Sequence, residues 1–312
     1  MICDKAHRRS PAFSLLLVLI TFLGLDIRPV LGQEVIAIKS QDLPLYQLAL
    51  DGFKKIYSGK LEEFTLRGDP NPLERIGEAI QSRSPYLILS IGLLATQVAK
   101  ANFQQTPILF CMLFDPERFS LSGPNMTGIT LEPSPAELFP RTKAVLPAVK
   151  RIGVLYDPEK SGKLIDEATK DAEALGISLV AAPVSSDKAL PNAMRTLLGK
   201  IDLLWMVPDS TVVTPQSLDF LFLFSFENNI PILGFSEDLV RRGAVLAFSP
   251  DYTAIGEQAG RLALKILGGE DPGRLPLRPA EHVRLSINLK TAAKLGIKLS
   301  PSALRSADKV YE

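Results

Sequence analysis

From residue 35 onward the apolar positions follow two alternating rhythms. Short, almost continuous apolar runs occur at Val35–Ser40, Leu61–Leu66, Tyr86–Ile91 and Ile108–Phe114, with helix-period stretches between them. Leu45, Leu48, Ala49, Gly52, Phe53 and Ile56 recur at i, i+3, i+4, i+7, i+8 and i+11, which predicts one buried helix face. Strands this apolar are buried on both sides, so helices should cover both faces of their sheet. The pattern then restarts. Arg151–Tyr156 reads as a strand, and Lys163–Leu175 as a helix with Leu164, Ala168, Ala172 and Leu175 inward and Gly176 as its stop. Ile177–Ala182, Ile201–Val207 and Ile232–Phe235 are further strands. Two successive runs of β-α units predict two doubly wound α/β lobes with parallel sheets, each with its ligand-facing edge at the strand C-termini.

After Phe248 the chain departs from a simple tandem. Ser249-Pro250-Asp251-Tyr252 leads into a helix with Ile255, Ala259, Leu262 and Ile266 on one face, ended by Gly268-Gly269. A Pro-rich stretch from Asp271 to Pro279 and a strand at Val283–Ile287 follow. These residues are too few for a third domain, so they read as extra crossings between the lobes.

The N-terminus carries a different signal. Lys5, Arg8 and Arg9 precede an apolar run from Phe13 to Leu25, and Val30-Leu31-Gly32 offers modest side chains before a cut. A run of about 13 residues suits a secretory segment and is short of the roughly 20 that span a bilayer. Residues 1–32 are therefore expected to be an export signal cleaved near Gly32, which places the mature chain in the periplasm. Its retention as an uncleaved anchor is the alternative. Removal of those residues leaves the charges nearly balanced, and a near-neutral chain has no electrostatic footprint for nucleic acid. Cys3 leaves with the signal, and Cys111 alone cannot close an intrachain disulfide. Stability must then come from the core, for which 46% apolar residues suffices.

Catalytic patterns fail one by one. His282 is the single histidine beyond the signal, and no HExxH, paired CxxC, calcium loop, GxSxG or GxGxxG is present. Gly162-Lys163 resembles the end of a phosphate loop, but Leu164 stands where Ser or Thr would hold Mg²⁺. The chain is therefore expected to be no enzyme and to need no cofactor or metal.

Polar and aromatic residues at strand C-termini remain. Ser40, Gln41, Ser90, Gly92, Phe114 and Asp115 in the first lobe, and Tyr156, Asp157, Asp209, Ser210, Ser236 and Glu237 in the second, offer the mixture a small-molecule site requires. A backbone N–H at Gly92, where a helix begins, suits an anion. Asp209 suits an ammonium group. Asp115-Pro116 and Asp157-Pro158 echo each other after strands, as turn formers do. One feature is surplus: Phe220-Leu221-Phe222-Leu223-Phe224-Ser225-Phe226 has six apolar residues in seven, in a helix opened by Thr214 and Pro215. Either neighbouring segments bury the excess, or it forms a patch for a weak homodimer or a membrane partner.

Gly123-Pro124-Asn125-Met126-Thr127-Gly128-Ile129-Thr130, the preceding Phe114-Asp115-Pro116, Val207-Pro208-Asp209-Ser210, Gly243 through Ser249-Pro250-Asp251-Tyr252 with Ile255-Gly256, and Ile287 through Ile297 resemble, in order and spacing, one family of bacterial ABC-transporter solute-binding proteins. That family includes binders of tryptophan and related amino acids. The resemblance runs from Val35 to about Pro301. It implies a type I periplasmic-binding fold: two Rossmann-like lobes joined by a three-segment hinge, with crossings near Leu131–Ser134, Ser249–Thr253 and His282–Ser286. The lobes would be 33–133 plus 251–281 and 134–250 plus 282–312. The implied function is capture of a small polar molecule, an amino acid or similar, by hinge closure, for an ABC permease in the inner membrane. A periplasmic sensor feeding a signalling partner would use the same fold. Where the family often has Thr-Asp-Pro-Val, this chain has Phe114-Asp115-Pro116-Glu117.

Overall fold

The computed structural model describes residues 34–68, 80 and 83–312; the expected export segment lies outside them. The first lobe is built from β1 (Val35–Lys39), α1 (Pro44–Ile56), β2 (Leu61–Thr65), β3 (Leu87–Ile91), α2 (Leu93–Asn102), β4 (Ile108–Leu113) and β5 (Met126–Thr130). The second begins with α3 (Pro135–Val145), β6 (Arg151–Tyr156), α4 (Pro158–Ala174), β7 (Ser178–Pro183), α5 (Leu190–Leu197), β8 (Leu203–Trp205), α6 (Pro215–Asn228), β9 (Ile232–Gly234), α7 (Glu237–Arg242) and β10 (Leu246–Pro250). The chain then supplies α8 (Tyr252–Leu267) and β11 (Arg278–Pro279) to the first lobe. It ends with β12 (Val283–Asn288), α9 (Leu289–Lys294), α10 (Pro301–Ser306) and β13 (Lys309–Tyr311) in the second.

The first sheet has the order β11-β5-β4-β3-β1-β2, and the second β13-β12-β10-β9-β8-β6-β7. Every pairing is parallel except β10 with β12. That exception follows from connectivity. β10 runs out of the second lobe toward the crossing at Asp251, and β12 returns beside it, with Pro250 opposite Val283. Adjacent outgoing and returning strands must be antiparallel.

Each sheet is buried on both faces, as the apolar runs predict. β1, β3 and β4 are buried at every position. Val35, Ala37, Leu87 and Leu89 pack with α1 and α8, while Ile36, Ile38, Ile88 and Phe110 face α2. Alternate residues serve opposite layers, which is the strand period of two. α1 and α8 touch backbone to backbone: a Cβ on Gly256 would fall 1.8 Å from the Ala49 carbonyl oxygen. Only glycine fits there, and Gly52 and Gly260 extend the same close seam.

Two local features differ from the sequence pattern. α4 starts at Pro158, a turn earlier than its apolar periodicity shows, because Asp157 caps it and accepts the Glu159 N–H at 3.0 Å. Its end is the expected Gly176, whose φ of 65° allows a left-handed stop, with Ile177 N–H returning to the Ala172 carbonyl. The apolar surplus of α6 divides between two cores. Phe226 packs on one side of the second sheet, and Phe220, Leu221, Phe222 and Phe224 on the other. Leu223 is the one residue of that run left exposed.

The chain passes between the sheets three times: after β5, at Asp251 between β10 and α8, and between β11 and β12. The second and third passages are tied together. Asp251 donates its N–H to the His282 carbonyl at 3.1 Å and pairs with Arg284 at 3.4 Å, while its side chain caps α8. Among the described residues, no helix is long and apolar enough to cross a membrane.

Candidate functional site

Parallel sheets place their loops at the strand C-termini, and both lobes turn that edge toward one cleft of about 870 Å³. The first lobe contributes Tyr46 from α1, Leu93 from α2, the loop Phe114–Phe119 after β4, and Glu132 after β5. The second contributes Lys160, Ser161, Lys163, Leu164 and Glu167 from α4, Ser210 after β8, and Phe235 and Ser236 after β9. Tyr252 and Arg278 close it near the crossings.

The β4 loop is turned into the cleft by backbone distortion. Register with β5 breaks between Phe110 and Leu113, and Met112 and Asp115 take φ of 64° and 38°. Non-glycine residues hold such angles only where their surroundings fix them. Asp115 Oδ1 accepts the Arg118 N–H at 3.2 Å, and Asp115 N–H donates to Glu132 Oε1 at 3.2 Å. Phe114, 36% exposed, and Phe119 present aromatic surface, and the Arg118 guanidinium lies 5.5 Å from the Phe119 ring centre. Lys163 Nζ reaches across from the second lobe to Glu117 Oε2 at 2.6 Å. That hydrogen bond raises the Lys163 pKa above its ordinary value.

Of the residues singled out from the sequence, Phe114, Asp115, Ser210 and Ser236 line this cleft. Ser210 is exposed and accepts from Lys160 Nζ at 2.9 Å; Ser236 sits at the start of α7 without using its hydroxyl as a cap. The other candidates lie outside the lining. Ser40 is buried; its hydroxyl donates to the Ile91 carbonyl at 3.1 Å and accepts Ala95 N–H at 2.9 Å. Ser90 shares a hydrogen bond of 3.0 Å with Thr96. Both fix the start of α2. Gly92, at φ 90°, makes room for that lock: a Cβ there would approach Tyr46 Oη to 2.5 Å and Ser40 Oγ to 2.8 Å. Gln41 is exposed beside Gly68, and Tyr156 packs half-buried against the second-lobe core.

Asp209 is 1% exposed, and its carboxylate is spoken for within the lobe. Oδ2 accepts the Asp157 N–H and the Ser161 hydroxyl, each at 2.8 Å, and Oδ1 accepts Thr211 N–H at 2.8 Å. Thr211 in turn donates its hydroxyl to Asp157 Oδ2 at 2.7 Å. That bond, with the Glu159 N–H and the charges of Lys160 and Arg118, holds Asp157 below the usual carboxylate range. The pair of aspartates therefore locks the β6 and β8 loops together. Glu237, the first residue of α7, is exposed outside the lining and accepts the Tyr311 hydroxyl.

Sequence reasoning missed Glu132, Arg118, Lys163 and Phe235. Lys163 lies on the second turn of α4, away from any strand end, and Glu132 follows β5, a strand that the apolar pattern did not mark. Burial in its apolar surroundings pushes the Glu132 carboxyl up to about 7, with the nearby Asp115 charge adding to the effect. Cys111 lies under the cleft floor, fully buried, its thiol pushed up to about 12 by desolvation. It is a packing residue, not a nucleophile. Among the described residues, no group of three or more His, Cys, Asp or Glu side chains is placed to hold a metal ion.

Two doubly wound lobes facing one cleft, with three chain passages between them, constitute the type I periplasmic-binding fold. The chain belongs to the ABC transporter substrate-binding protein family, whose model matches residues 47–311. It is 27% identical over 263 residues to a protein of Clostridioides difficile named as a tyrosine-binding protein, an alignment covering 81% of this chain and 76% of that one. Among solved structures, the ligand-free, open form of CD0873, a substrate-binding protein with adhesive properties from Clostridium difficile, matches with a TM-score of 0.72 at 22% identity. That match covers 89% of this chain and 99% of the other. A Streptococcus pneumoniae ABC domain in complex with L-Trp matches with a TM-score of 0.60 at 21% identity over the same shares.

Proposed function

We propose that the protein is the extracytoplasmic solute-binding component of an ABC-type importer. It takes an amino acid or a similarly small polar molecule into the inter-lobe cleft and closes about its hinge. One observation carries this reading: a single cleft is walled by loops of both lobes and already bridged by Lys163 and Glu117. A ligand there gains its full set of contacts only when both walls meet, so binding and closure are one equilibrium. Phe114, Phe119 and Phe235 supply apolar surface, and Asp115, Ser210 and Ser236 supply polar groups for orientation. The names of the Tyr- and Trp-binding relatives support the amino-acid class. Export to the periplasm, by the segment at residues 1–32, supplies the compartment in which a permease would read the closed form.

A thermal-shift screen of amino acids, purines, sugars and organic anions tests the reading. A ligand at a hundred times its Kd stabilises by about 2.7 kcal/mol, which is roughly 5–10 °C at this chain length. Amino acids should stand out; stabilisation by sugars or purines alone would refute the assignment.

A further inference from the structure

Behind the main cleft lies a recess of about 30 Å³ lined by Phe114, Leu138, Trp205, Met206, Phe235 and Phe248, among others. Glu132 is the one ionisable residue that borders it, and it borders the main cleft as well. Two backbone N–H groups, its own and that of Asp115, are the donors it receives among the described residues. It takes part in none of their ion pairs. Of the cations that line the cleft, Lys163 turns to Glu117 at 2.6 Å, Lys160 to Ser210 at 2.9 Å and Arg118 to the Phe119 ring, and Arg278, exposed on β11, makes no ion pair with Glu132. A carboxylate among aromatic side chains, lacking a counter-cation, is costly unless a partner arrives.

We infer that Glu132 is the counter-charge for a cationic group of the solute, so that the cleft selects small amines carrying an apolar body. This rests on the reading of the cleft as a solute site and narrows it: sugars and simple organic anions lack the cation that Glu132 needs. The bound cation and a proton compete for the same carboxylate. Because burial already holds the carboxyl near 7, the competition falls in an accessible range. Affinity for an amine should then decline as the pH falls below about 7.

The other titratable groups around the cleft are Asp115 and Glu117 on the β4 loop, Glu167 on α4, Arg278 before β12, and Tyr46 and Tyr252. Replacing Glu132 alone separates its titration from theirs.

The experiment is isothermal titration of the full mature chain and its Glu132→Gln variant with L-tyrosine, tyramine and 3-(4-hydroxyphenyl)propionate between pH 5.5 and 8. The wild type should bind L-tyrosine at least tenfold more tightly than the propionate, which lacks only the amine. That affinity should fall severalfold from pH 7.5 to 5.5. Glu132→Gln should lose tenfold or more at pH 7.5 and show a flat profile while melting no earlier than the wild type. A Gln variant that binds L-tyrosine as tightly as the wild type, with the same pH slope, would overturn the inference and leave the amino-acid reading standing. Failure of the wild type to bind any of the three, with a sugar or purine stabilising it in the screen, would overturn both.

Discussion

Replacing Asp209 with Asn changes almost no volume but exchanges an acceptor oxygen for a donor NH₂. In the structure both oxygens are acceptors: Oδ2 receives Asp157 N–H and the Ser161 hydroxyl, and Oδ1 receives Thr211 N–H. An amide can keep its oxygen on only one of those sides. With the oxygen toward Thr211, the NH₂ faces the Asp157 N–H at a separation of 2.8 Å, where two donors oppose each other. The Ser161 hydroxyl can rotate to accept, so the loss is one charge-assisted bond and one stranded backbone donor. Each contributes about 1.5–3 kcal/mol, and the two overlap, giving roughly 3 kcal/mol in all. For a chain of this size that lowers the Tm by about 6–12 °C. Urea denaturation read by circular dichroism, with the slope held constant, measures it directly. Ligand affinity should change little once the folded fraction is accounted for, because the carboxylate is buried behind Ser161 and Asp157. Unaltered stability with sharply weakened binding of a cationic ligand would refute this and place Asp209 against the solute.

Three further outcomes are expected. Gly256→Ala forces a Cβ to within 1.8 Å of the Ala49 carbonyl and should destabilise the first lobe by about 3 kcal/mol or more, seen in the same denaturation assay. Lys163→Met removes a cross-cleft pair whose partners are about half exposed, so ligand affinity should shift by less than about threefold and the difference should vanish in 0.5 M salt. Glu132 has a folded-state pKa raised above the ordinary carboxylate value, so its charge opposes folding above about pH 7 and this penalty is relieved as the pH falls toward 4.5. Glu132 should contribute up to about 3 kcal/mol across that window, read as the difference between the pH dependence of ligand-free wild type and of Glu132→Gln.

The architecture was legible because burial on both sheet faces leaves unbroken apolar runs. Val35–Lys39, Leu87–Ile91 and Ile108–Leu113 stand almost where the pattern draws them. What the pattern hid had capping chemistry or little periodicity. Asp157-Pro158 reads as a turn yet opens α4, since an Asp cap followed by Pro at the first helical position looks the same in both settings. The antiparallel β12 depends on where the chain re-enters the second lobe, which no local window contains. Position after a strand identified the edge that faces the cleft but not which side chains turn into it. Phe114 and Ser236 do, whereas the Ser40 and Ser90 hydroxyls are spent on α2. Glu132 gave no signal because its partner, Asp115, lies in another segment of the chain, and Glu117 stood out only as a departure from the family pattern, its pairing with Lys163 lying beyond any local window.

Closure of two lobes around an amino acid is the centre of the account, and small-angle scattering reads it directly. Profiles of purified residues 33–312 should be collected with and without saturating L-tyrosine or L-tryptophan. Closure predicts a smaller radius of gyration and a shorter maximum dimension with ligand, reversing on dialysis. Binding proven by calorimetry but accompanied by superimposable profiles would contradict it.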